Sequence, residues 1–211
     1  MKRPPIIVVV GHVDHGKTTL LDVVRKSNLA AKEAGGITQS IGAYEIVHNG
    51  ERMTFIDTPG HEAFSSMRKR GAKAADVAIL VVGADDGVQQ QTKEAIKILQ
   101  ESETPFVVAI TKIDKTRGEV DKAKNELMQA GVLLEGYGGG VSWQGVSAKT
   151  GEGIKELLDL LVLTADIEEL TADEKKSGSG FILEAKRDSR KGIMAMAIVT
   201  DGTLRVGDYV K

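Results

Sequence analysis

The stretch Ile6-Ile7-Val8-Val9-Val10-Gly11-His12-Val13-Asp14-His15-Gly16-Lys17-Thr18 decides the fold. Five consecutive β-branched apolar residues read as a buried strand, and they run directly into a complete Gly-x-x-x-x-Gly-Lys-Thr phosphate loop. The glycines let backbone N–H groups turn inward as an anion nest at the start of the helix opened by Thr18-Thr19-Leu20-Leu21, where the helix dipole also favours negative charge. Lys17 is expected to reach the β- and γ-phosphates of a nucleotide, and the Thr18 hydroxyl to ligate Mg²⁺. A glycine turn can match this pattern by chance, but here the flanking strand and helix supply the context the motif requires.

Outward from that junction, β-branched runs alternate with amphipathic stretches. Strands are expected over Ile6–Val10, Ile41–Val47, Arg52–Ile56, Val77–Val82, Phe106–Thr111 and Val141–Val146. Helices are expected over Lys17–Ser27, His61–Lys73, Gln89–Glu101, Gly118–Ala130 and Gly153–Thr164. Ile154, Leu157, Leu158 and Leu161 recur at spacings of three and four, the mark of one buried helical face. Asn49-Gly50 is a two-residue hairpin signal that makes one edge pairing antiparallel. The rest implies an α/β fold, a mostly parallel six-stranded sheet with helices on both faces and ligands at the carboxyl ends of its strands.

After Thr164 an acidic run leads into Lys175-Lys176-Ser177-Gly178-Ser179-Gly180, which has little to bury. We read residues 1–166 as a nucleotide-binding domain, 167–180 as a linker and 181–211 as an incomplete β-barrel segment. That segment is expected to hold strands at Phe181–Ala185, Ile193–Thr200 and Leu204–Val206, with Asp201-Gly202 as a turn. So few strands make a poor independent domain, which suggests a longer parent protein. His48 is expected at the hairpin surface and Trp143 partly buried in a strand.

Composition narrows the classes. The 211 residues suit one domain plus part of another, and a 41% hydrophobic fraction can fill a core. A net charge of −2 gives no global basic field for nucleic acid. The absence of cysteine excludes disulfides, thiolate metal sites and thiol catalysis. Met1-Lys2-Arg3-Pro4-Pro5 is followed by too short an apolar run for a signal peptide or membrane span. The chain is read as cytoplasmic, soluble and monomeric, with no membrane partner.

A phosphate loop does not separate kinases, ATPases and GTPases; the other strand ends must. Asp57-Thr58-Pro59-Gly60 follows an apolar strand end, where Asp57 could hold Mg²⁺ through water and Gly60 could give its N–H to the γ-phosphate. Taken alone, the same residues are a good turn. Thr38, after Gly35-Gly36-Ile37, could give Mg²⁺ a second hydroxyl when a γ-phosphate is present. Thr111-Lys112-Ile113-Asp114 and Ser147-Ala148-Lys149 each follow an apolar run. The Asp114 carboxylate can accept two hydrogen bonds from guanine N1–H and N2–H₂, which adenine does not offer. Lys112 would cover base and ribose, and the Ala148 N–H would meet the guanine O6 oxygen. Either tripeptide or tetrad alone is an ordinary loop, but together at successive strand ends they favour GTP and GDP over adenine nucleotides.

With these elements in order, residues 1 to about 165 resemble a translational GTPase. Gly-Gly-Ile-Thr-Gln-Ser-Ile-Gly-Ala-Tyr at 35–44, Asp-Thr-Pro-Gly-His-Glu-Ala-Phe at 57–64 and Gly83-Ala84-Asp85-Asp86-Gly87 resemble the bacterial translation initiation factor two family. Gln89-Gln90-Gln91-Thr92 continues the likeness, and Asp201–Asp208 is similar to the start of that family's β-barrel domain, with Asp in place of Asn. The resemblance implies a GTPase stimulated by the ribosome and its RNA, serving initiator tRNA placement and subunit joining in the full-length protein. Initiator tRNA itself would be held by a domain beyond Lys211. It also implies that His61 orients the attacking water, that Val13 and Ile37 gate it, and that Asp14 helps hold a monovalent cation. Arg68, Lys69 and Arg70 would be either a solvated face or a contact to RNA phosphate. The family usually carries Asn where this chain has Thr111, so the contact to the base and the cross-link to the phosphate loop should weaken or change. Three other readings stay open at this point: an elongation-factor type of GTPase, a GTP-dependent binding switch with incidental hydrolysis, and a phosphate-loop ATPase or kinase.

Overall fold

The computed structural model describes residues 1–28, 42–57, 74–115, 119–190 and 192–210. A six-stranded sheet organises the chain, built from β1 (Ile6–Gly11), β2 (Gly42–His48), β3 (Glu51–Asp57), β4 (Val77–Gly83), β5 (Phe106–Thr111) and β6 (Trp143–Gly145) in the order β2-β3-β1-β4-β5-β6. Within this sheet β2 and β3 pair antiparallel, and the other pairings are parallel. The β2–β3 turn is Asn49-Gly50, both at positive φ (51° and 86°), the geometry whose twist matches a two-residue hairpin. β1 and β4 are buried at every position, because helices cover both faces and leave no side for polar residues.

Those helices are α1 (Lys17–Asn28), α2 (Gln90–Glu101), α3 (Val120–Gln129) and α4 (Ile154–Ile167). One face of the sheet, with Ile7, Val9, Ile79 and Ala109, packs against Leu20 and Leu21 of α1 and Leu157 and Leu161 of α4. The opposite face, with Val8, Val10, Leu80 and Ile110, packs against Ala95, Ile96 and Leu99 of α2 and Leu127 of α3. The expected α/β architecture is the observed one. Its consequence is that β1, β4, β5 and β6 bring their carboxyl ends to one edge.

Several boundaries differ from expectation. The last strand of this sheet is three residues rather than Val141–Val146, because Val141 bridges back to Leu134 and closes the loop Gly136-Tyr137-Gly138-Gly139-Gly140 instead of joining β5. α4 runs three residues past Thr164, since nothing in Ala165-Asp166-Ile167 breaks a helix and Ala165 extends its buried face. β7 (Ser179–Asp188) and β8 (Gly192–Asp201) form an antiparallel hairpin, longer than expected, that fits the start of a barrel. Leu204–Val206 is not a strand: Gly202 at φ +74° turns the chain beside Ser177, and the pairing ends in one bridge to Thr203. His48 is not free hairpin surface either, as its Nε2 lies 2.6 Å from Asp159 Oδ1 on α4 and its side chain is 11% exposed. Trp143 is half-buried as expected, with Lys124 Nζ 3.8 Å above its ring.

Residues 170–172 pair with the amino terminus. Arg3 N donates to Leu170 O, Met1 N to Ala172 O, and Ala172 N to Met1 O. Arg3 also grips Asp76 through both guanidinium ends, at 2.8 and 2.6 Å, while Ile6 N donates to Asp76 Oδ2.

Candidate functional site

The phosphate loop begins where β1 ends. Gly11 sits at φ +147°, and a Cβ there would lie 2.3 Å from the Val81 carbonyl oxygen of β4, so only glycine lets the two strands stay paired at this level. Asp14 (φ +62°) and Gly16 (φ +85°) then curl the backbone, and α1 starts at Lys17 with Leu20 N donating to Gly16 O. Alternation between right- and left-handed residues is how successive N–H groups come to face one concavity. Lys17 is buried with its Nζ donating to the His12 carbonyl, while Asp14, Thr18 and Thr19 are exposed and Val13 is half-buried. A cation folded over an N–H-lined turn at a helix start fits a polyphosphate.

Side chains from neighbouring strand ends brace the loop. Thr111 Oγ1, 3% exposed, donates to the His15 carbonyl at 2.6 Å. The cross-link to the phosphate loop, expected to weaken or change with Thr111, is made by the threonine hydroxyl. Gln91, from the first turn of α2, accepts from Val13 N at 3.0 Å through its Oε1. The His15 ring is fully buried with Nδ1 3.4 Å from the Val81 carbonyl. Burial pushes the His15 pKa down to about 4, so the imidazole is neutral at pH 7. In that state the carbonyl assigns the proton to Nδ1, and Nε2, 3.7 Å from Asp86 Oδ2, forms no ion pair.

The base-side residues gather at the ends of β5 and β6. Asp114 is exposed, and the buried Ser147 donates to its Oδ1 at 2.7 Å. That bond above all holds the Asp114 carboxyl below its ordinary range, leaving an ionised acceptor with lone pairs to spare. Ala148 is half-buried beside it and Lys149 exposed. Ile113 points inward, 8% exposed, where its methyls would meet a Cβ at Gly145; it is packing for the loop. Lys112 stands at φ +64° with its Nζ 3.0 and 2.9 Å from the two oxygens of Asp85. Burial raises the Asp85 carboxyl, but the Lys112 bonds and charge outweigh it and hold the group below its usual value.

The structure thus brings Gly11–Thr19, Thr111–Asp114 and Ser147–Lys149 to one edge of the sheet. Asp57 ends β3 on the same edge, while its side chain and the residues Ile37, Thr38, Thr58, Pro59, Gly60, His61, Arg68, Lys69 and Arg70 lie outside the described residues. Gln91 and Asp85 also reach this edge, touching Val13 and Lys112, and no local motif singles them out. Both stand in strings noted only for their resemblance, and only the placing of β4 between β1 and β5 brings them to the site.

Residues 2–166 match the family described as elongation factor Tu GTP binding domain. The chain belongs to that family. Among its curated relatives, the protein of Alkaliphilus metalliredigens named translation initiation factor IF-2 is 53% identical over 210 residues. Those of Clostridium novyi and Thermus thermophilus, named likewise, are 51% and 50% identical over 209 residues each. All of these cover at least 99% of this chain, which spans 30% to 37% of their own length. Among solved structures, GDP-bound aIF5B from Aeropyrum pernix superposes with a TM-score of 0.72 at 36% identity, covering 96% of this chain and 42% of that one. Elongation factor SelB from Methanococcus maripaludis, in complex with the GTP analogue GPPNHP, gives 0.74 at 28%, covering 99% and 44%. The elongation factor Tu GTP-binding fold is thereby the fold of this member. Among the described residues, no helix is long and apolar enough to cross a membrane.

Proposed function

We propose that this chain is the GTP-binding and hydrolysing part of a translation initiation factor, producing GDP and phosphate when stimulated by the ribosome. The observation that carries it is the convergence of three loops on one sheet edge: a phosphate nest with Lys17, and the Asp114–Ser147 pair that presents an ionised acceptor. Roughly half identity to proteins named initiation factor, along nearly the whole chain, supports initiation over elongation. Residues 1–166 would form the GTP-binding domain, 167–180 the connection and 181–211 the start of a barrel. Ribosome and initiator tRNA are partners of the full-length protein in this reading, and the chain works in the cytoplasm as a monomer.

In that role the nest of Gly11–Thr19 binds the phosphates, with Lys17 neutralising charge as it develops. Asp114 accepts from guanine N1–H and N2–H₂, the Ala148 N–H meets O6, and Lys112 covers base and ribose. Among the described residues the exposed Thr18 hydroxyl at the first turn of α1 suits a Mg²⁺ that takes most of its ligands from phosphate and water, joined by Thr38 and, through water, Asp57. Bound there, the metal would spread the charge of the transferring phosphoryl group. His61 would hold the attacking water in line, behind Val13 and Ile37, and Asp14 would contribute to a monovalent cation site. Titration calorimetry with GTP, GDP and ATP, followed by phosphate release with and without ribosomes, tests the proposal. GDP and GTP should bind and ATP should not. His61→Ala should abolish ribosome-stimulated release while leaving GTP binding; equal binding of ATP, or unchanged release, would sink the corresponding half.

A further inference from the structure

Asp85 has no task in the reading above, yet its carboxylate makes the one bidentate contact to a base-side residue among the described residues. Both its oxygens hold Lys112 Nζ, at 3.0 and 2.9 Å, with the two side chains only 33% and 23% exposed. Lys112 is a non-glycine residue in the left-handed region, a conformation that persists where surrounding contacts fix it. Its turn is closed by Lys115 N donating to Lys112 O. Asp85 is seated equally firmly: a Cβ at Gly83 would lie 2.7 Å from Asp85 Oδ1 and 3.3 Å from His15 Cδ2, so the carboxylate crosses bare backbone beside the phosphate-loop histidine. At the root of the two loops, Ala84 N donates to Thr111 O at 2.9 Å.

A lysine whose head is tied down leaves its methylene stem as an apolar surface. We propose that Asp85 is a positioning residue of the nucleotide site. By holding the Lys112 ammonium it fixes the lysine stem as a wall of the guanine and ribose pocket before nucleotide arrives. This rests on the assignment of Lys112 to base and ribose made above. A prebuilt wall removes an ordering cost from binding and slows release. Because base and ribose are common to GDP and GTP, both must feel it equally.

The test is nucleotide binding and release on the full chain for the wild type, Asp85→Ala, Asp85→Glu, Lys112→Met and the double variant Asp85→Ala/Lys112→Met, with thermal midpoints measured alongside. Asp85→Ala should weaken GDP and GTP by the same factor, roughly three- to tenfold, mainly through faster release. Asp85→Glu should recover part of the loss. On the Lys112→Met background, where no head remains to hold, Asp85→Ala should change nothing further. Unchanged affinity, fully additive losses, or a loss confined to GTP would each overturn the proposal. Failure of the wild type to bind guanine nucleotide would overturn the site reading and this proposal together, whereas tight wild-type binding with indifferent Asp85 variants overturns this proposal alone.

Discussion

His15 is an imidazole sealed inside a phosphate loop, and its protonation links nucleotide site to stability. Folded, its pKa lies at about 4; in the unfolded chain it titrates near 6.5. Between those values the unfolded state binds the proton and the folded state does not, so the stability present above pH 6.5 is lost as pH falls toward 4. Relative to a His15→Gln variant, the wild type should lose about 2 kcal/mol more on going from pH 7 to pH 5, read from urea midpoints. Equal losses in the two proteins would show that the ring is not held neutral. At this scale the sequence conveys residue type well and partners poorly. The spacing of Gly11, Gly16 and Lys17 was enough to place a phosphate nest, and Asp114 with Ser147 to place an acceptor. That Thr111 spends its single proton on the His15 carbonyl, or that Asp85 grips Lys112, depends on which strands are neighbours, and local spacing carries no information on that.

Elements were legible in proportion to how strongly burial patterns them. α4 announces itself because Ile154, Leu157, Leu158, Leu161 and Ala165 all belong to the core with α1 and the sheet, so the period survives to Ala165. Leu157 is wholly buried there, and Leu157→Ala should cost about 2–5 kcal/mol in urea denaturation. Leu163, 61% exposed on the same helix, should move stability by no more than about 0.5 kcal/mol when changed to Ala. Comparable losses at the two positions would refute the assignment of the buried face. The strands misjudged were those whose partners are irregular. Val141 has the apolar look of a strand residue, but Leu134 claims it, and among the described residues the pairing beside Leu204–Val206 stops at the Ser177–Thr203 bridge. Apolar character marks a residue that can pair; a ladder also needs a partner at the right distance.

Among the described residues, the hairpin meets the sheet domain through a docked leucine, and a clasp fixes the connection between them. Leu183 of β7, 3% exposed, joins the core cluster that holds Val8, Val10 and Leu80, with Ile198 of β8 packed against it. The clasp of residues 1–3 on 170–172 fixes where the connection departs. Most other apolar side chains of the hairpin face outward, Ile193 at 84% exposure among them. A two-stranded hairpin is marginal in water on its own, so the order of β7 and β8 draws on the docking of Leu183 and Ile198. Leu183→Asp would place a charge among the apolar side chains of the core, and detachment is the cheaper outcome. Amide exchange should then quicken across β7 and β8 while β1, β4 and β5 keep their protection, since local openings need not propagate through a separately packed sheet. GDP affinity should stay within about twofold, because the nucleotide edge is built from ends of strands in the six-stranded sheet, to which neither β7 nor β8 belongs. Slow exchange retained in the hairpin would mean that the ladder and the bridge between Ser177 and Thr203 suffice to order it. Loss of protection in β1 or β4 would mean instead that the hairpin is part of the cooperative unit that binds nucleotide.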